Sequence, residues 1–298
     1  MMPLTTTGKR SKWQDDLRAQ FMTICIAAIC RKENMIITAT DFMLSSETIS
    51  SESPAAKISL TGHKNRWVVM FSGDPSINLE VKTEARRKLV GKEEYAKDLI
   101  SAFQGAFKDR ICRKIEDEIL SPFGITREQF LKEGRANFGD DEFLRILREI
   151  ETTGLETDFL VAGFEPTGRP CLLSFFDPGS YYIHDMSSFH AIGNGATLAD
   201  SSLTTKFNPF GTLSDCIYRV SEAKFLGQKA PGVGKQTFVS VLGSDGKWNG
   251  IGPRNMDKIQ KLWEEKGQPP VPDEAVGLIK KSFDWNAPAS PTTSESST

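Results

Sequence analysis

Cysteine is sparse in this sequence and follows no ligand or disulfide pattern: the five residues fall at positions 25, 30, 112, 171 and 216, with no CxxC and no Cys/His cluster. That scatter excludes a zinc module, and the odd number points to reduced thiols, as in a cytoplasm. Histidine is scarcer still. His63, His184 and His190 lie far apart and lack helical metal spacing, so they read as surface or turn residues, and neither a metal nor another cofactor is expected. No apolar run approaches the ~20 residues of a membrane-spanning helix. The longest, Phe21 to Cys30, is interrupted by Thr23 and reads as a buried strand. A secretory signal is missing too, because Lys9-Arg10-Ser11-Lys12 runs into polar Gln14-Asp15-Asp16 and not into an apolar stretch. Neither sign of charge is in excess. Thirty-seven basic residues against thirty-nine acidic ones leave a net charge of -2, so no bulk field favours nucleic acid or an anionic membrane.

What is present is a core: 39% of the 298 residues are hydrophobic, enough for one large domain without disulfides. The ends differ in composition. Residues 1–21 are polar and basic and read as a leader, a propeptide or a misassigned start, and Ala, Pro, Ser and Thr dominate a tail at 286–298. The domain is placed at 22–285. Thr23–Cys30 and Met35–Thr40 are β-rich runs flanking polar Arg31-Lys32-Glu33-Asn34, the pattern of a hairpin. Further strands are expected at Lys57–Leu60 and Arg66–Phe71. Helical spacing of apolar residues from Pro75 to about Leu120 predicts two long helices. A charged, partly helical stretch, about 121–155, reads as an insertion. Four strands expected as a meander follow, at Phe159–Phe164, Cys171–Phe176, Tyr181–His184 and Phe189–Ile192. Two helices, about Ala196–Lys206 and Leu213–Phe225, then lead to a strand at Thr237–Leu242. Strand runs alternating with helix pairs predict an α+β fold of two antiparallel sheets, face to face, with helices outside.

The Thr23–Asp41 hairpin, Pro54-Ala55-Ala56-Lys57-Ile58 and Phe71-Ser72-Gly73-Asp74 carry a resemblance, as do Val161-Ala162-Gly163-Phe164, the turn at Asp177-Pro178, and Ala191-Ile192-Gly193-Asn194-Gly195. In order and spacing these strings resemble proteasome β-type subunits, members of the N-terminal-nucleophile (Ntn) hydrolases, over roughly residues 22–250. The resemblance implies a four-layer αββα sandwich. It also implies Thr23 as nucleophile, Asp41 at the end of the second strand, Lys57 sixteen residues later, and Gly73 as the oxyanion donor. Cys25 stands sixteen residues before Asp41, the family's unmodified nucleophile distance, but nothing favours cleavage after Ile24, and it reads as an inert strand thiol.

The chemistry needs these residue types. A threonine hydroxyl is a poor nucleophile until a base takes its proton, and a free α-amine, with an ordinary pKa near ~8, can do so within the same residue. A lysine alongside lowers the pKa of both groups through its charge, and an aspartate holds that lysine ionised and oriented. A glycine N–H can approach a tetrahedral oxyanion without side-chain interference. The amine must be free, and Met22 immediately precedes Thr23, so removal of an initiating Met22 would expose it.

The C-terminal half departs from the pattern. Asn194 stands where active members carry a serine, and Gln228 and Pro231 replace the aspartate and serine of an Asp-x-x-Ser-Gly element. Neither amide supplies a negative charge. Three readings stay open: a threonine peptidase taking peptide or unfolded-protein substrates inside a homo-oligomeric ring, with an unfolding ATPase as its feeder; a catalytically silent assembly or binding module; or an Ntn acylase on a small amide. Gly232-Val233-Gly234-Lys235-Gln236 lacks the first glycine of a phosphate loop and has Gln where Ser or Thr should be.

Overall fold

The computed structural model describes residues 23–45, 50–52, 57–62 and 65–267. The expected leader, Met22, Pro54 to Ala56, His63 and the tail at 286–298 lie outside the described residues. Two units are distinguished, Met1–Gln260 and Lys261–Thr298.

The first unit is α+β, with two five-stranded antiparallel sheets. Strands β1 (Cys25–Cys30) and β2 (Met35–Thr40) form the predicted hairpin, in a register that pairs Cys25 with Thr40 and Cys30 with Met35. Its turn passes through Asn34 at φ 52°, a left-handed conformation that a short polar side chain tolerates. A small ladder joins β3 (Met43–Ser45) and β4 (Ser50–Glu52). The second sheet is built in sequence order from β5 (Ile58–Thr61), β6 (Trp67–Gly73), β7 (Thr157–Phe164), β8 (Pro170–Phe176) and β9 (Ser180–Ile183).

One expectation is corrected here. The strand at Phe189–Ile192, β10, does not continue the meander; it pairs with β1, Cys25 opposite Ile192, and so belongs to the first sheet. The crossing segment is tied by the Ser188 carbonyl, which accepts from the Ile29 N–H at 2.7 Å. With β11 (Phe238–Gly243) and β12 (Trp248–Ile251), the first sheet has the order β10-β1-β2-β11-β12.

Alternation along the strands assigns each face. Ala27, Ile29 and Leu242 of the first sheet share one buried cluster with Val68, Met70, Leu160, Ala162 and Leu172 of the second, so these faces pack together. The alternate residues of the second sheet, Trp67, Val69, Phe159, Val161, Leu173 and Phe175, pack against helices α1 (Pro75–Leu89) and α2 (Ala96–Lys114). Phe103 stacks on Phe175 at 4.6 Å between ring centroids. Helix α1 starts where Asp74 caps it, accepting from the Ser76 and Ile77 N–H groups, with Pro75 at the position that needs no donor.

The stretch expected as a partly helical insertion is mostly helix. A π-helical continuation, Ile115–Leu120, leads into α3 (Arg127–Thr152), capped by the Thr126/Gln129 box and broken at Gly139 (φ 75°). Phe130 and Ile146 close a separate small core over Ile115, Ile119 and Leu120. Helices α4 (Ala196–Lys206) and α5 (Leu213–Gly227) pack on each other, and both touch β1. The sequence reading did not anticipate β12 or the last helix, α6 (Pro253–Lys266). Of the second unit, residues 261–267 are described, and they are helical through Lys266. No helix among the described residues is long and apolar enough to cross a membrane.

Candidate functional site

The hairpin register brings Thr23 and Asp41 together. Thr23 lies two residues before β1 and Asp41 one residue after β2, and the Asp41 N–H donates to the Ile24 carbonyl at 3.4 Å, continuing the ladder beyond its last pair. Lys57 precedes β5, at the start of the other sheet. All three side chains are buried, with Thr23 1%, Asp41 0% and Lys57 5% exposed.

They form one hydrogen-bonded group. The Thr23 hydroxyl donates to Asp41 Oδ1 at 2.9 Å and accepts from Lys57 Nζ at 2.5 Å. Lys57 Nζ also lies 3.3 Å from Asp41 Oδ1. The other carboxylate oxygen, Oδ2, accepts from the Gly234 N–H at 3.1 Å. Burial pushes the Asp41 carboxyl above the usual aspartate range, while the Lys57 and Lys224 charges, the Thr23 hydroxyl and the Gly234 N–H pull against that rise. A hydroxyl that accepts from an ammonium and donates to a carboxylate is polarised along one line. Its oxygen lone pairs face positive charge and its proton faces a base.

Gly73 ends β6 opposite Thr157, at φ 108°, and a Cβ there would come within 2.4 Å of the Glu156 carbonyl oxygen. Only glycine fits that backbone.

Cys25 is neighbour to the group without joining it. Its thiol donates to the Phe71 carbonyl at 3.4 Å, and burial pushes its pKa up to about 12. A neutral, enclosed thiol is a poor nucleophile.

Residues from the C-terminal half complete the surroundings. Gly193 (φ 90°) lies so close to Thr23 that a Cβ would meet the Thr23 carbonyl oxygen at 2.4 Å, and the Gly195 N–H donates to that same oxygen at 3.4 Å. Asn194, between them, is exposed, as is Pro231. Gln228 is half-buried and its Oε1 accepts from Lys224 Nζ at 3.0 Å.

Lys224 and Gly234 were missed from sequence, although one signal was available. Lys224 shares a helical face with Val220, Ala223 and Gly227, all buried, so a lysine stood among core positions. Of the two described histidines, His184 opens the turn at 185–187, as expected of a turn residue, whereas His190 lies half-buried in β10. His184 and His190 stack at 3.9 Å, His184 Nε2 hydrogen-bonds Ser174 Oγ at 2.7 Å, and burial holds His190 down at about 4. The short connection from β9 to β10 brings them together. No group of three or more His, Cys, Asp or Glu is disposed to hold a metal among the described residues.

No protein-family model matches the chain, and no curated protein matches it by sequence. Solved structures do. Anbu, an ancestral beta-subunit, from Yersinia bercovieri superposes with a TM-score of 0.57 at 12% identity, covering 91% of this chain and 100% of that one. An Anbu Gly-1 mutant from Hyphomicrobium sp. strain MC1 gives 0.57 at 12% identity, covering 87% of this chain and 99% of that one. These findings correct the expectation of a proteasome β-type subunit: the chain shares its fold with Anbu proteins, which are proteasome-related but distinct.

Proposed function

We propose that this protein is an N-terminal threonine hydrolase of amide bonds, with residues 1–22 removed to free the Thr23 amine. The observation that carries the reading is the buried Thr23 hydroxyl held between Lys57 Nζ at 2.5 Å and Asp41 Oδ1 at 2.9 Å. An ordinary salt bridge at strand ends needs no hydroxyl between its charges, and burying the pair is costly unless the geometry is used. The fold proposed is the four-layer αββα sandwich, supported by the helices that pack on the second sheet and on β1.

In the reaction, the freed amine takes the hydroxyl proton as Thr23 Oγ attacks the carbonyl carbon of the substrate amide. Lys57 lowers the hydroxyl pKa, and Asp41 keeps Lys57 charged and aligned. Gly73 N–H stabilises the oxyanion. The C–N bond breaks, the amine product leaves with the transferred proton, and water then hydrolyses the Thr23 ester. The substrate class is a peptide or unfolded segment, and the assembly a homo-oligomeric ring in the cytoplasm, fed by an unfolding ATPase.

A silent assembly module is the second reading. It is favoured by the exposure of Asn194 and Pro231 and by the engagement of Gln228 with Lys224, which leave no carboxylate from that loop for the amine. The two readings separate in one experiment: intact mass and N-terminal sequencing of the purified protein, followed by fluorogenic peptide turnover of wild type, Thr23→Ala and Lys57→Ala. A chain beginning at Thr23, with turnover lost in both variants, is expected. Turnover that persists in Thr23→Ala, or a chain that keeps residues 1–22, rules out the amine-activated threonine.

A further inference from the structure

Lys224 lies on α5, far in sequence from Thr23, yet it is fully buried at 0% exposure. Its ammonium donates to the Gly234 carbonyl at 2.7 Å and to Gln228 Oε1 at 3.0 Å. Gly234 is therefore gripped at its carbonyl by Lys224, while its N–H donates to Asp41 Oδ2 at 3.1 Å. The other oxygen of that carboxylate receives the Thr23 hydroxyl at 2.9 Å. A continuous line of contacts runs from the helix through one loop residue to the hydroxyl.

The loop itself needs such an anchor. Helix α5 ends at Gly227, and the chain turns through Gly232 at φ 75° before β11 begins at Phe238. Val233 packs inside at 6% exposure, but an apolar side chain fixes depth and not the direction of a peptide N–H. A charged donor holds the Gly234 carbonyl in place, because charge-assisted hydrogen bonds are shorter and stronger than neutral ones. Gln228 Oε1 in turn accepts from the lysine and holds it at the loop.

We infer that Lys224 is a positioning residue for the threonine site: it orients the Gly234 peptide against Asp41 and so fixes the carboxylate that holds Thr23 and Lys57. The inference rests on Thr23 being the nucleophile. Two titratable groups act on Asp41, Lys57 at the head of β5 and Lys224 on α5, while the Cys25 thiol on β1 in turn feels the Asp41 charge. The two lysines favour its ionised form. Removing Lys224 takes away one positive charge and frees the Gly234 N–H to turn away, and both changes make Asp41 easier to protonate.

The test compares Lys224→Met, which keeps the stem and removes the charge, with Lys224→Arg, which keeps a charged donor. Carboxyl 13C NMR follows the Asp41 titration, assigned with Asp41→Asn, while the pH profile of kcat/KM is measured on a fluorogenic peptide. In Lys224→Met the Asp41 midpoint is expected to rise by about one unit, tenfold in proton affinity. The acid limb of the rate profile shifts by the same amount, kcat falls and KM stays, and Lys224→Arg restores the midpoint. An unchanged midpoint in folded Lys224→Met, or a change in KM alone, overturns the assignment. If that variant does not fold, the Lys224 15Nζ resonance of the unmutated chain decides: a shift at the Asp41 midpoint supports the contact line, and no response refutes it. A wild type that hydrolyses nothing sinks the hydrolase reading, while the NMR titration still decides whether Lys224 positions Asp41.

Discussion

Replacing Lys57 by methionine tests the buried ion pair most directly, because methionine keeps the stem and removes only the charge and its hydrogen bonds. Asp41 is fully buried and Lys57 is its contact partner at 3.3 Å. Deleting one member of a buried pair costs about 3–5 kcal/mol, since the other charge is left uncompensated. Asp41 keeps the Thr23 hydroxyl, the Gly234 N–H and the Lys224 charge, which places the cost near the lower end, about 3 kcal/mol. That is roughly 150-fold in the folding equilibrium.

The cost must also depend on pH, with a definite sign. The folded-state pKa of Asp41 already lies above the unfolded value, and losing Lys57 raises it further. Between the unfolded and folded pKa the native state holds more protons than the unfolded one, so stability falls as pH rises through that window. The penalty is therefore smallest below pH ~4, where Asp41 is neutral in both states, and largest above the folded pKa. Urea denaturation of wild type, Lys57→Met, Asp41→Asn and the double variant between pH 5 and 8 measures this. The double variant is expected to be more stable than Lys57→Met alone, since it carries no orphaned charge. A Lys57→Met penalty under about 1 kcal/mol, flat across that range, would refute the tight buried pair.

Two other outcomes follow from backbone and burial. Gly193→Ala forces a side chain into left-handed backbone and against the Thr23 carbonyl, so it should cost about 2 kcal/mol or more in thermal denaturation and displace Thr23; a Tm within a degree of wild type contradicts the close approach. A disulfide reagent at pH 8 should label half-exposed Cys112 first, with Cys25, Cys171 and Cys216, whose pKa values burial pushes up to about 12, reacting only after unfolding. Mass mapping of the labelled peptides checks the order, and early labelling of Cys25 would show that the threonine neighbourhood opens.

Local pattern determined much of this protein. The β-rich runs flanking Arg31 to Asn34 specify the first hairpin, and its register places Thr23 beside Asp41. Asp74-Pro75 and Thr212 with Asp215 announce helix starts through capping chemistry that acts within four residues. Only the tertiary structure decided the rest, because it depends on contacts between residues distant along the chain. The strand at Phe189–Ile192 looked like the next turn of a meander, yet it joins β1 in the other sheet, since pairing partners are chosen by packing and not by order. Lys57 reaches Thr23 across 34 residues and Gly234 reaches Asp41 across 193, so the electrostatics of the site exist only after the two sheets close on each other.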